Sequence, residues 1–246
     1  YGKLIADWMT DGRTEIDHNS IDYARFYPHQ LTENFIEGRC YEAAQKIYFP
    51  AVHTREPYGT GRNVKRSPFY EREKELGGYF MELGGWERAH GYAANEHLLE
   101  KYGNQVPVRE NEWDNRHVWR VSDAEHRGMS EDCGIVNLSH FHMVDIEGPD
   151  HVELLEWLCA AKIGGDANIG KGIYTHFLDD EGMVRADFTV FRMADRCRLV
   201  NGADAGPRDF HYMRRVAEDK GFDVTITDVT SQYVTIGIWG PNARTT

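Results

Sequence analysis

The residues best placed to do chemistry lie in one stretch, 171–190, which reads Lys-Gly-Ile-Tyr-Thr-His-Phe-Leu-Asp-Asp-Glu-Gly-Met-Val-Arg-Ala-Asp-Phe-Thr-Val. The pattern predicts a strand, an acidic glycine turn and a second strand. Asp187 sits between Ala186 and Phe188. Successive strand side chains point to opposite faces, so Asp187 and Thr189 share one face when Phe188 and Val190 take the other. A carboxylate set in an apolar strand is costly unless it is hydrogen-bonded, paired or used. Taken by type and spacing alone, Asp187 is either a structural hydrogen-bond acceptor or a site residue, buried in a sheet wall. Asn201-Gly202 is a common turn pair that could equally be a polar contact at a strand end.

Other familiar chemistries find no support. There is no Walker loop, no GxGxxG and no GxSxG in the sequence. Cys40, Cys133, Cys159 and Cys197 are scattered without a CxxC, and are expected as partly buried thiols in a reducing compartment. His140 and His142 in Ser-His-Phe-His would share one strand face, a spacing more often structural than metal-binding. No metal is expected.

Several elements must position these residues. Leu4, Ile5, Trp8 and Met9 recur at helical spacing and Asp11-Gly12 ends the pattern, so a helix runs from the first residues. A second helix is predicted over Glu33–Tyr48, with Phe35, Ile36, Cys40, Ala43, Ala44 and Ile47 at intervals of three and four. Residues 57–68, rich in Gly, Pro, Arg and Lys, read as a solvated crossing between domains. A short charged helix to Leu76, a strand over 79–83, an irregular polar run over 96–113 and a helix beginning at 118–127 follow. Asp150 is expected to cap a helix over 151–161 whose stripe is Val152, Leu155, Leu158 and Cys159. Phe188 to Met193 and Cys197 to Val200 read as a hairpin around Ala194-Asp195. Residues 207–220 read as a helix stopped by Gly221, with Phe210, Met213 and Val216 inward. Further strands are expected over 224–229 and 233–239. This mixed order argues an α+β fold with an antiparallel sheet or partly open barrel, rather than a doubly wound parallel sheet. Gly148-Pro149-Asp150 recurs as Gly240-Pro241-Asn242, which is expected to open a comparable helix. The ends therefore read as cuts through a longer polypeptide.

Composition narrows the classes. The 246 residues carry 28 Lys and Arg against 40 Asp and Glu, a net charge of -12. That sign repels phosphate backbones and argues against nucleic-acid binding. A mean hydropathy of -0.62, with no long apolar run, argues against a membrane-spanning helix.

Ser67-Pro68-Phe69-Tyr70-Glu71, Gly85-Trp86-Glu87-Arg88, Gly148-Pro149-Asp150, Tyr174-Thr175, Gly182 with Asp187-Phe188-Thr189-Val190, Thr227-Asp228-Val229-Thr230-Ser231 and Gly240-Pro241-Asn242-Ala243-Arg244 stand in this order along the chain. Together they resemble the dimethylglycine oxidase/dehydrogenase and sarcosine dehydrogenase family, in which an FAD-dependent amine oxidase domain precedes a tetrahydrofolate-binding domain like the glycine-cleavage T-protein. The resemblance implies that residues 1–60 are the helical tail of the flavin domain. It implies that residues 61–246 are the first portion of the folate domain, with antiparallel sheets and flanking helices. The family continues Gly-Trp-Glu-Arg with Pro-x-Trp-Phe, where this chain has Ala89-His90-Gly91-Tyr92. That departure leaves the substrate open. The implied activity is flavin-dependent oxidation of a small methylated amine such as dimethylglycine or sarcosine, with the one-carbon unit passed to tetrahydrofolate or released as formaldehyde. Oxygen or an electron-transfer flavoprotein would reoxidise the flavin. The alternatives are a T-protein-type aminomethyltransferase without flavin chemistry, or a non-catalytic regulatory member.

By the same resemblance Asp187 is the catalytic acid that contacts the folate amine, Tyr174 lines the pterin pocket and Asn201 bonds the pterin edge. Gly2 and Lys3 would lie near FAD, whereas Trp86 and Arg88 are packing residues. The compartment implied is the cytosol or the mitochondrial matrix.

Overall fold

A computed structural model describes residues 1–12, 14, 21–48, 57–108, 119–179 and 181–246. The expectations that fall on Val118, Asp180 and residues 109–113 lie outside them. The chain divides into two compact units: residues 1–27 with 142–229, and residues 28–141 with 230–246.

The first unit opens with α1 (Gly2–Asp11), ended by Gly12 in the left-handed conformation that glycine tolerates best. In the second unit α2 spans Glu33–Tyr48, as its periodicity predicts, and α3 spans Tyr70–Glu75. Strands β1 (Gly78–Leu83) and β2 (Trp86–Tyr92) form an antiparallel hairpin with Leu83 opposite Trp86. Its two turn residues, Gly84 and Gly85, both have positive φ. Such a turn matches the right-handed twist of the strands it joins. The polar run expected to be irregular holds α4 (Leu98–Tyr102), which packs on α5 (Trp119–Glu131) around Tyr102, Val106 and Ala124. Strand β3 (Gly134–Asn137) pairs with the last strand, β9 (Ile236–Trp239).

The basic cluster of residues 57–68 is not simply solvated. Arg62 Nε donates to Glu87 Oε1 at 2.9 Å, and the Asn63 N–H donates to the same oxygen at 2.6 Å. The Lys65 N–H donates to the Gly85 carbonyl at 2.8 Å, and Lys65 makes an isolated parallel bridge to Trp86. The basic cluster is stitched onto β2 because Glu87 is buried and needs a cation and donors. Trp86 is itself buried, as a packing residue should be.

The rest of the first unit is β4 (His142–Glu147), α6 (His151–Leu158), β5 (Gly172–Leu178), β6 (Val184–Arg192), β7 (Arg196–Asn201), α7 (Gly206–Lys220) and β8 (Thr225–Asp228). The strands make one antiparallel sheet in the order β5-β6-β7-β4-β8. One face supplies Val144, Ile146, Phe177, Phe188, Val190 and Leu199 to the core, which α6 completes with Leu154, Leu155 and Leu158 and α7 with Met213 and Ala217. Phe177 stacks on Phe188 with centroids 4.2 Å apart. Gly221, left-handed at φ 74, stops α7.

Two local expectations, the Asp150 cap and a shared face for His140 and His142, are corrected. The Asp150 side chain does not cap α6; its Oδ2 accepts the Asp223 N–H at 2.8 Å instead, tying the helix start to the chain before β8. Gly240-Pro241-Asn242 is followed by hydrogen-bonded turns, including the Thr246 N–H on the Asn242 carbonyl, as far as the last residue, and Asn242 Nδ2 donates to Asp132 Oδ1 at 2.8 Å. His140 lies in a turn ahead of β4, so it shares no strand face with His142. Among the described residues no helix is long and apolar enough to cross a membrane.

Candidate functional site

The face of the first unit's sheet that turns away from its core carries the candidate site. On β6 Ala186, Phe188 and Val190 are buried, so alternation sends Arg185, Asp187, Thr189 and Phe191 to the other side. On β5 Thr175 and Phe177 are buried, which leaves Tyr174 and His176 beside them on that outer face. Register pairs Tyr174 with Thr189 and His176 with Asp187. The diagonal neighbours meet: the Tyr174 hydroxyl donates to Asp187 Oδ2 at 3.2 Å. The Tyr174 ring also meets His176 edge-on at 5.3 Å. The negative charge of Asp187 pushes the Tyr174 phenol above its usual range, because losing its proton would set two anions side by side.

Asp187 is exposed, and Tyr174 is 63% exposed, so the expectation of a buried acid is corrected. The reason is the alternation itself, since the core claims only the Phe188 face. The outer face adds Phe191, half open to solvent, and the paired Arg198 and Asp145. Arg198 Nε lies 2.7 Å from Asp145 Oδ1 and its Nη2 lies 2.8 Å from Oδ2, a bidentate pair.

Asn201 is placed elsewhere. It lies on the core face of β7, opposite His142 on β4, and is buried. Its Nδ2 donates to Asp209 Oδ2 at 2.8 Å, so it is neither the turn residue nor a neighbour of Asp187. Asp209 is buried, which raises its carboxyl above the usual range, while Arg208 and Asn201 act to lower it. Arg208 Nη2 lies 2.7 Å from Asp209 Oδ1. His142 Nε2 lies 3.5 Å from Asp228 Oδ2. His142 and Asn201 were singled out separately from the sequence, but not their grouping with Arg208 and Asp209. A linear signal for that grouping is Arg208-Asp209 in the first turn of a helix that follows Asn201 closely.

Gly2 and Lys3 begin α1 and are exposed, with nothing within 4 Å of a Cβ built at Gly2. The thiols of Cys159 and Cys197 are pushed up by burial to about 12 and about 11, which suits structural rather than nucleophilic groups. In the second unit a cleft of about 530 Å³ is lined by Tyr92, Asn95, Lys101, Glu125 and Asn137 among others.

The family model for the GCVT N-terminal domain matches residues 69–246. The chain belongs to that family. Ahead of the GCVT domain, residues 11–67 match the FAD dependent oxidoreductase central domain. The two matches in tandem carry the dimethylglycine and sarcosine dehydrogenase resemblance. A 4-methylaminobutanoate oxidase (formaldehyde-forming) of Paenarthrobacter nicotinovorans is 32% identical over 248 residues, covering 99% of this chain and 28% of that protein. The mitochondrial sarcosine dehydrogenase of Mus musculus is 26% identical, covering 99% of this chain and 30% of that protein. The chain thus spans under a third of these relatives. The GCVT domain is also similar to the crystal structure of glycine cleavage system aminomethyltransferase T from Bartonella henselae. That match has a TM-score of 0.55 and 23% identity, over 74% of this chain and 42% of that one, and it shows the shared fold.

Proposed function

We propose that the intact protein oxidises a small methylated amine at a flavin and that its GCVT domain receives the one-carbon unit on tetrahydrofolate. The observation that carries this reading is the tandem order of the two family matches, FAD dependent oxidoreductase then GCVT, along a chain 99% covered by a 4-methylaminobutanoate oxidase and a sarcosine dehydrogenase. The division near residue 60 read from the sequence is proposed as the meeting point of those two parts. The amine is of the glycine type, dimethylglycine or sarcosine, and the electron acceptor is oxygen or an electron-transfer flavoprotein. The cytosol or the mitochondrial matrix is the proposed compartment.

The outer face of β5 and β6 fits a reduced pterin. A flat, hydrogen-bonding heterocycle calls for an aromatic surface and a carboxylate acceptor, and Tyr174, Phe191 and Asp187 offer both on one face. Tetrahydrofolate would supply the nitrogens, one in the reduced ring and one beside it, that take up the one-carbon unit. Asp187 would accept an N–H of the reduced ring and hold a proton at its carboxylate. Tyr174, donating to Oδ2, fixes the carboxylate rotamer so that Oδ1 faces the ligand. Asn201, on the other face, is proposed to act through Asp209 and the start of α7 rather than on the same ligand edge. Gly2 and Lys3, at the exposed start of α1, are proposed to lie near FAD, and no step is assigned through it.

An absorption spectrum of the intact protein tests the reading. Flavin bands that bleach on anaerobic addition of dimethylglycine or sarcosine are expected. A protein free of flavin bands, or one that neither amine bleaches, would overturn it.

A further inference from the structure

We propose that the first unit holds a second ligand site, specific for a small oxyanion, in a cleft of about 400 Å³ walled by α1, the 22–24 segment, β6 and the start of α7. This inference does not depend on the folate reading. The cleft is within the size range of small-molecule sites. Its charged lining is Arg185, Arg208 and Arg215 with His211, against Asp22 and Asp209. Three guanidiniums in one cleft stand out on a chain whose net charge is -12.

The acids there already have partners. Asp209 accepts from Arg208 and Asn201, and Asp22 Oδ1 accepts the Ala24 N–H at 2.8 Å. Tyr212 sets the geometry of the other two cations. The guanidinium carbon of Arg185 lies 4.5 Å from its ring centroid and that of Arg215 lies 5.5 Å away. A guanidinium held against a ring keeps its N–H fork in plane, the arrangement that grips a carboxylate or phosphate bidentately. The first turn of α7 reaches the same cleft through Arg208 and Asp209. Phosphate and carboxylate share the chemistry recognised: two or more coplanar acceptor oxygens and a negative charge.

Calorimetric titration of the intact protein at low salt, with inorganic phosphate in one arm and citrate in the other, tests the site. Saturable binding in at least one arm is expected, weakened about tenfold in Arg215→Ala, as loss of a charge-assisted hydrogen bond implies. Arg215 is exposed, so its removal leaves the core intact, and an unchanged melting curve checks this. Arg215→Lys should recover only part of the affinity, because an ammonium cannot fork. Binding of phosphate alone assigns a phosphate ligand, of citrate alone a carboxylate ligand, and of both a general oxyanion site. No saturable binding in either arm, or binding that Arg215→Ala leaves unchanged, would overturn the proposal.

Discussion

Removing Arg62 strands a buried acid, and the cost follows from the geometry. The Glu87 side chain is 1% exposed and that of Arg62 is 27% exposed. In Arg62→Met the carboxylate keeps the Asn63 N–H but loses its cation. Breaking a buried pair from one side costs about 3–5 kcal/mol, and the surviving bond and partial exposure of Arg62 place this case at about 3. At roughly 1.4 kcal/mol per decade, that is about a hundredfold in the local opening constant. Amide exchange reads it directly, at the Lys65 N–H on the Gly85 carbonyl and the Glu87 N–H on the Lys65 carbonyl. The pH dependence gives a second check. Burial pushes the Glu87 carboxyl up, but the bonds from Arg62 and Asn63 outweigh it and hold the group below its usual range. Its stabilisation is therefore present above the ordinary carboxylate range and is lost as pH falls through the lowered folded value. The deficit of Arg62→Met should shrink on acidification, and Arg62→Met/Glu87→Gln should be less destabilised than Arg62→Met alone. Exchange rates that change less than about threefold, or a double variant as labile as the sum of the singles, would refute the coupling.

Two further outcomes concern the scaffold. Phe177→Ala, which removes a fully buried ring stacked on Phe188, should cost about 3–5 kcal/mol in urea unfolding monitored over the first unit, with Phe177→Leu costing much less. Glu42, despite opposing burial, is held down to about 2 by bonds from the Thr60 hydroxyl, the Gly59 and Thr60 N–H groups and the charge of Lys46. The docking of residues 59–60 on α2 should therefore be fully present above the unfolded carboxylate range and weaken as pH falls toward 2. Glu42→Gln should flatten that dependence in the exchange of the Gly59 and Thr60 amides.

Much of the scaffold was legible because its signals are local and periodic. The span of α2, the stop of α1 at Gly12, the stop of α7 at Gly221 and the β6–β7 hairpin all rest on spacing and on glycine's conformational freedom. Helix α4 escaped notice because five residues are too few to show a period. Strand β2 escaped because Trp-Glu-Arg-Ala-His-Gly-Tyr does not alternate, its burial being set by the 57–68 segment laid across it. Asp150 could have served as a cap by type alone, but a partner 73 positions away took its side chain. At the site, alternation correctly put Asp187 and Thr189 on one face. It could not say whether anything covers that face, so the acid proved exposed. Asn201 belongs to the opposite face by register with His142, information that no single strand contains.

The sharpest test of the central claim compares Asp187→Ala with the unchanged intact protein in two readouts at once. Flavin reduction by the methylated amine should survive largely intact. Folate-dependent capture of the one-carbon unit should collapse, leaving formaldehyde as the product, and Tyr174→Phe should show a milder version of the same split. Loss of both activities together, or capture that persists without the carboxylate, would contradict the assignment.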